Sequence, residues 1–335
     1  MLRPFLRLAR EKKARFPALL GRTLWRALTN IGTVDGIVQI LKLPPFFEAA
    51  WANPRFAYKY LSANYLVRGM TVAERAASFT HHYRRMHAVL PDRVLRQTLR
   101  GDVTLYEIPD GGNRFVLTMG LPSPLDYEGE MSIKLLVDGQ VVFALSFAIV
   151  PGWVVKSDAA EILLITQIQG KRGAYREIHL ATKALHNVAP AALLLAAAQG
   201  IATALGIAHL AGVSAVKQPC FTSECATAFN SAYDDFFAEL GMSRNTTGFF
   251  LSPVPIEDKP LACIKQGHKL RTKEKRAFKQ QIQLACAGFF EEFAPVRSIL
   301  ENAVQNEHQL NLELPARQIT FIEKPAANAL GTCLE

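Results

Sequence analysis

Residues 161–214 read EILLITQIQGKRGAYREIHLATKALHNVAPAALLLAAAQGIATALGIAHLAGVS, and this stretch decides the fold class. It opens on an unbroken apolar, β-branched run, Ile162, Leu163, Leu164, Ile165 and Thr166, which is the composition of a buried strand. The run breaks at Gly170, and two helical segments follow before a second short strand at residues 209–213. Neighbouring parallel strands need a crossover of about a dozen residues or more, and this connection is long enough to be one. The stretch therefore predicts strand, glycine turn, helices and a parallel strand.

Working outward, the residues upstream alternate with a period of two. Residues 103–108, 114–119, 131–137 and 141–150 read as strands, and the turns Pro109-Asp110-Gly111-Gly112 and Asp138-Gly139 have the residues that hairpins require. This predicts an antiparallel meander, with the strand at residue 161 next in the same sheet. Downstream, a loop with Pro219 leads to a helix over residues 226–240 closed by Gly241, then a strand at 248–252 and a basic helical segment at 265–283. The first hundred residues read as helical. Pro44-Pro45 ends one helix, Asn53-Pro54 starts another turn or helix, and Thr71 with Glu74 forms a capping box opening a helix through His81, His82 and Tyr83. The expected fold class is α+β, a mixed, largely antiparallel sheet with flanking helices, preceded by a helical N-terminal region. The expected division is a helical region at 1–100, an α/β domain with a basic C-terminal helix at 101–293, and a weakly ordered tail at 294–335.

Composition bounds the function. The chain has 335 residues, half of them apolar, and carries a net charge of +9. Much of that charge sits in two clusters, one within residues 3–26, inside a stretch at 1–28 that reads as a basic amphipathic helix, and one within residues 265–279. Such clusters suit an anionic membrane surface or an ordinary solvated helix face. They lack the interleaved aromatics of a nucleic-acid platform, and no helix-turn-helix or finger pattern occurs, so no nucleic-acid partner is expected. The five cysteines include no CxxC pair and no histidine at zinc-ligand spacing, so no metal is expected. No signal peptide is read, and residues 190–211, though apolar, are interrupted by Gln199, Gly200, Thr203 and Gly206, which favours a buried helix over a membrane span. The expected location is the cytoplasm, with peripheral attachment to the inner membrane through the basic helices as a further option. Nothing in the residues sets the oligomeric state.

Asp126, Glu128 and Glu130 cluster around Gly129 at a strand entrance. Such a group can supply a general base if it faces a cleft, although exposed turn acids have the same appearance. His82 with Tyr83 is a second candidate lining, against the alternative of an ordinary helix-surface histidine.

These residues resemble the VirK/YbjX family of bacterial domains of unknown function. The likeness rests on His82-Tyr83, Glu128-Gly129-Glu130, Leu145-Ser146-Phe147, Gln169-Gly170, Thr182-Lys183-Ala184-Leu185-His186, Tyr233-Asp234, Phe236-Phe237 and the late basic helix. It departs at Ala189-Pro190, where the family has Arg-Pro, and at Phe237, where it has Trp. The resemblance implies a role in the Gram-negative envelope, in virulence and in tolerance of antimicrobial peptides or bacteriocins. The order of elements also resembles the GNAT superfamily of N-acyltransferases. That likeness implies acyl-CoA or acyl-carrier-protein phosphopantetheine as cofactor, its pyrophosphate held by a Q/R-x-x-G-x-G/A turn at a helix N-terminus. Here the turn would comprise Gln167, Gln169, Gly170, Gly173 and Ala174, with Lys171, Arg172 and Arg176 adding charge. One extra residue lies between the glycines. Glu128, Glu130 or Glu161 would be the base. Phe237 stands where the superfamily has its acid tyrosine, which leaves Tyr233, one turn earlier, for that role.

Overall fold

The computed structural model describes residues 31–108, 112–122 and 127–293. The amphipathic segment at residues 1–28, Asp126, most of the turn at 109–112 and the tail from 294 lie outside the described residues.

The chain opens with α1 (Ile31–Lys42), α2 (Pro44–Ala52) and the short α3 (Arg55–Tyr58). Pro44 and Pro45 occupy the first turn of α2, where a missing N–H costs nothing, and so separate it from α1. Helix α4 (Val72–Val89) starts on the expected capping box: the Thr71 hydroxyl accepts from the Glu74 amide at 3.2 Å, and Glu74 Oε2 accepts from the Thr71 amide at 2.7 Å. Helix α5 (Asp92–Arg100) leads into the sheet.

Strands β1 (Asp102–Ile108), β2 (Phe115–Gly120), β3 (Met131–Val137) and β4 (Gln140–Pro151) form the meander. The β3–β4 hairpin turns at Asp138 and Gly139 with φ of 49° and 80°, the left-handed pair that a two-residue turn demands and that Asp-Gly tolerates. Strand β5 (Glu161–Gly170) pairs antiparallel with β4. Helices α6 (Tyr175–Ala184) and α7 (Pro190–Ala204) cross over to β6 (His209–Val213), which runs parallel to β5. A helical run follows as α8 (Ala226–Phe229), a π-helical turn (Asn230–Asp235) and α9 (Phe236–Glu239), then β7 (Ser243–Arg244), β8 (Phe249–Pro253) and α10 (Lys269–Glu291). The strands form one sheet in the order β1-β2-β3-β4-β5-β6-β8-β7, antiparallel throughout except between β5 and β6. The α+β expectation is met, with the crossover at residues 161–214 as the only parallel step among the described residues.

Successive residues of β2, β3, β5 and the second half of β4 are buried, so both faces of the central sheet are covered. Helix α7 is the buried helix expected of residues 190–211, and among the described residues no helix is long and apolar enough to cross a membrane. The aromatics Phe46, Phe56, Phe79 and Tyr83 pack together between α2, α3 and α4, with Phe46 edge-on to Tyr83, Phe56 edge-on to Phe79 and Phe46 stacked on Phe56, and this cluster is continuous with the core over the sheet.

Strand β3 begins opposite Phe147, so β4 runs past it with an edge amide at Ile149. His82 on α4 closes that edge. Its Nδ1 accepts the Ile149 N–H at 3.1 Å, which assigns the ring proton to Nε2. The ring is fully buried, and burial, then the charges of Lys59 and His81, hold its pKa well below the ordinary histidine value. His82-Tyr83 is therefore an internal pair and lines no open site. Replacing His82 by leucine orphans the Ile149 amide and is expected to cost about 1–3 kcal/mol in urea unfolding at pH 8. In the native chain the buried neutral ring contributes stability that is present above pH ~6.5 and lost as pH falls below it, because the unfolded chain takes up the proton. The leucine variant should lose that part of the acid sensitivity.

Candidate functional site

The site is made where β5 leaves β6. Only Leu163, Leu164 and Ile165 of β5 pair with β6, yet β5 continues to Gly170 against β4. The departure coincides with a β-bulge, since Ser146 faces Gln167 and Phe147 faces Ile165, leaving Thr166 as the extra residue. A bulge bends its strand and re-aims the side chains beyond it. The Thr166 hydroxyl anchors the bulge, donating to the Ser146 carbonyl at 3.0 Å and to the Glu128 carbonyl.

Beyond the bulge, Gln167 holds Glu128. Its Nε2 donates to Glu128 Oε2 and lies 3.0 Å from Gln169 Oε1, while its own Oε1 accepts from the Ser146 hydroxyl at 3.2 Å. The other carboxylate oxygen of Glu128 faces the Cys220 thiol, which donates at 3.8 Å. Burial raises the Glu128 pKa, against the hydrogen bonds from Cys220 and Gln167. The thiol is also raised, by burial first and then by the Glu128 charge.

The gap toward β6 is filled from the other side by the π-helical turn. Tyr233 from that turn is buried, stacks on Phe229 at 5.8 Å, and takes a hydrogen bond from the Ile168 backbone. Burial holds its phenol well above the ordinary tyrosine value, with Glu128 and Cys220 pushing the same way. Phe237 is fully buried against Phe250 and serves packing alone.

At the end of β5 the chain makes the expected turn. The Lys171 amide extends the ladder to the Val142 carbonyl at 2.8 Å, Gly173 takes φ of 85°, and α6 begins at Tyr175 with no side chain capping it. Lys171, Arg172 and Arg176 are all exposed there.

Of the residues singled out from sequence, Glu128, Gln167, Gln169 and Tyr233 come together around Cys220, and Gly170, Lys171, Arg172, Gly173 and Arg176 follow along the same strand and turn. Glu130 goes elsewhere. It is fully buried, ion-paired with Lys59 at 2.5 Å and hydrogen-bonded by the Tyr65 hydroxyl. Glu161 sits at the opposite end of β5, bound by His81 at 2.9 Å and Arg85 at 3.0 Å, and these partners, His81 first, lower its pKa. Sequence reasoning weighed Cys220 only as a metal ligand and passed over Ser146 and Thr166. A bulge has no residue signature, so nothing in the chain marked them as neighbours of Glu128.

Among the described residues no group of three or more His, Cys, Asp and Glu is placed to hold a metal ion. No curated protein and no solved structure matches the chain. The profile of a protein of unknown function, DUF535, matches residues 12–286, most of the chain, which therefore belongs to that family, the VirK/YbjX domain.

Proposed function

We propose that the chain binds an acyl thioester, acyl-CoA or acyl-carrier-protein phosphopantetheine, at the divergence of β5 from β6, and transfers the acyl group in the manner of a GNAT-like enzyme. The observation that carries this reading is the bulge at Thr166, after which β5 continues to Gly170 without β6 and ends in an exposed basic glycine turn. The backbone edge beyond Ile168, whose own amide is held by Tyr233, would pair with a pantetheine amide as an added strand does. Arg172, Arg176 and Lys171, with the uncapped amides of α6, would hold the phosphates. Glu128, its pKa raised, serves as the base for an acceptor amine, and Tyr233, which stays protonated, donates to the leaving thiolate.

Acetyl-CoA and longer acyl-CoA species are expected to raise the melting temperature. Ligand at 100 times its Kd contributes about 2.7 kcal/mol. Reversing both exposed charges, Arg172→Glu with Arg176→Glu, should abolish the shift without lowering the unliganded melting temperature; Gly170→Trp should abolish it too, but with a loss of stability, because a Cβ there already lies 2.9 Å from the Ile178 side chain. No shift at millimolar ligand overturns the reading. Tyr233→Phe should keep binding and slow transfer by about 100-fold or more. The envelope and antimicrobial-peptide role implied by the family resemblance then becomes testable. A strain relying on the charge-reversed protein should be as sensitive to a cationic peptide as one lacking it.

The start of α10 favours a second reading, a non-catalytic factor docked on an anionic inner-membrane surface. Leu270 is 70 % exposed between exposed Lys265, Arg271 and Lys273, whereas Arg276 and Lys279 are held by Asp258. Each basic residue near such a surface contributes about 1 kcal/mol. Flotation with vesicles containing phosphatidylglycerol should fall steeply with salt and with Arg271→Glu/Lys273→Glu. Binding indifferent to salt and to lipid charge counts against it.

A further inference from the structure

Four free cysteines lie among the described residues, and they are not equivalent. Cys286 is buried, whereas Cys220, Cys225 and Cys263 are exposed. Only one of the exposed thiols has a carboxylate within reach: Cys220 Sγ donates to Glu128 Oε1. The far oxygen of that carboxylate is held by Gln167, which is held in turn by the Ser146 hydroxyl. Nucleophile, base and a third group that orients the base are the parts of an activated nucleophile. They stand at the part of β5 that continues beyond its pairing with β6, and the Tyr233 phenol lies close enough for the charges of Glu128 and Cys220 to act on it.

We infer that Cys220 is a nucleophile that takes the acyl group onto itself, so that the chain passes through an S-acyl-cysteine. The inference rests on the acyl-thioester reading of this site. In the step, Sγ attacks the thioester carbonyl as its proton passes to Glu128 Oε1. The Sγ–carbon bond forms, the carbon–sulfur bond to coenzyme A breaks, Tyr233 protonates the departing thiolate, and Glu128 returns the thiol's proton to Tyr233. One thioester is made for one broken, and no oxidant or reductant enters. Glu128 is then an ionised carboxylate again, free to deprotonate the acceptor that removes the acyl group. Gln167 and Ser146 are positioning residues in this scheme. A thiol raised in pKa by burial first and then by its neighbouring carboxylate stays protonated at rest and ionises only as the carboxylate accepts its proton, which directs reaction to a bound thioester over reagents free in solution.

The test uses the full chain with acetyl-CoA, following acetylated peptides by mass spectrometry and released coenzyme A by chromatography. Cys225 and Cys263 report the background. Cys220 should acquire one acetyl group, removable by neutral hydroxylamine, about 100-fold faster than Cys225 or Cys263, the scale that general-base assistance gives. Glu128→Gln should reduce Cys220 to the background rate while acetyl-CoA still raises the melting temperature. Equal labelling of the three exposed cysteines overturns the inference, as does a thermal shift with no acetyl group on Cys220. If acetyl-CoA gives neither shift nor adduct, the acyl-thioester reading has failed and the inference falls with it.

Discussion

Lys59→Met is expected to destabilise the protein by about 3–5 kcal/mol at pH 8, the cost of leaving a buried charge without its partner. Lys59 is 1 % exposed and Glu130 is fully buried, with 2.5 Å between them. The ammonium lies 5.4 Å from the Phe56 ring, 5.6 Å from that of Tyr83 and 6.0 Å from those of Tyr65 and Phe79, and it donates to the Tyr83 hydroxyl at 3.3 Å. Aromatic faces help to hold a desolvated cation, yet they offer a stranded carboxylate nothing. Lys59 comes from the helical region, and Glu130 stands one residue before β3, so the pair ties the two together across apolar surroundings.

The cost should depend on pH with a definite sign. Burial, opposed by Lys59, raises the Glu130 carboxyl from 4.5 to about 7. A raised acid contributes stability that is fully present below its unfolded pKa and is lost as pH rises through its folded one. Without the cation the folded pKa rises further, so the variant should recover part of its loss between pH 8 and pH 5. In the double variant Lys59→Met/Glu130→Leu no charge is stranded: the Tyr65 hydroxyl loses its acceptor, which costs about 1–3 kcal/mol, and the Tyr83 hydroxyl loses the Lys59 donor. It should therefore be more stable than the single variant. Urea titrations at both pH values check these expectations, and a single-variant loss below 1 kcal/mol at pH 8 shows that the pair carries no net weight.

Gly200→Ala is the second large effect. In an exposed helix interior this change stabilises by up to about 1 kcal/mol. Here the sign should reverse. Gly200 lies on α7 where α10 crosses it, and a Cβ would overlap the Gln283 carbonyl oxygen and lie 2.9 Å from its carbon and 3.0 Å from its Cα. Those atoms are backbone, so no rotamer change relieves the overlap. A loss of about 1–3 kcal/mol is expected for alanine, and more for valine. In the valine variant α10 should separate from α7 and expose Phe278, Ile282 and Phe290, which are buried in the native chain. Limited proteolysis reports it as early cleavage within residues 269–291. A stabilised alanine variant would mean that the helices sit further apart.

The legible parts of the fold were those whose cause is local. A strand is buried on both faces because Ile162 to Ile165 has no polar alternate, and a hairpin turns at Asp138-Gly139 because few other residues accept two successive positive φ angles. The Thr71 capping box is complete within four residues. The π-helical turn at Asn230–Asp235, which carries the buried Tyr233, was hidden inside a run with ordinary helical spacing.

For the candidate site, the sequence by itself marked Glu128 among the carboxylates around Gly129, and the resemblance to the GNAT superfamily pointed to Gln167, Gln169, Tyr233 and the basic glycine turn from Gly170 to Arg176. The sequence also determined the order of elements that brings β5 and β6 side by side. Only the tertiary structure decided which of two nearly adjacent carboxylates stays with that group. Glu128 meets Gln167 and Cys220 at a bulge, while Glu130 is drawn into an aromatic cage with Lys59. Likewise only the packing of α10 on α7 revealed why Gly200, a weak helix former, stands in a buried helix. The physical reason is common to both: propensity and pattern act between residues close in sequence, whereas a bulge, a buried ion pair and a helix crossing are settled by contacts between residues far apart in the chain.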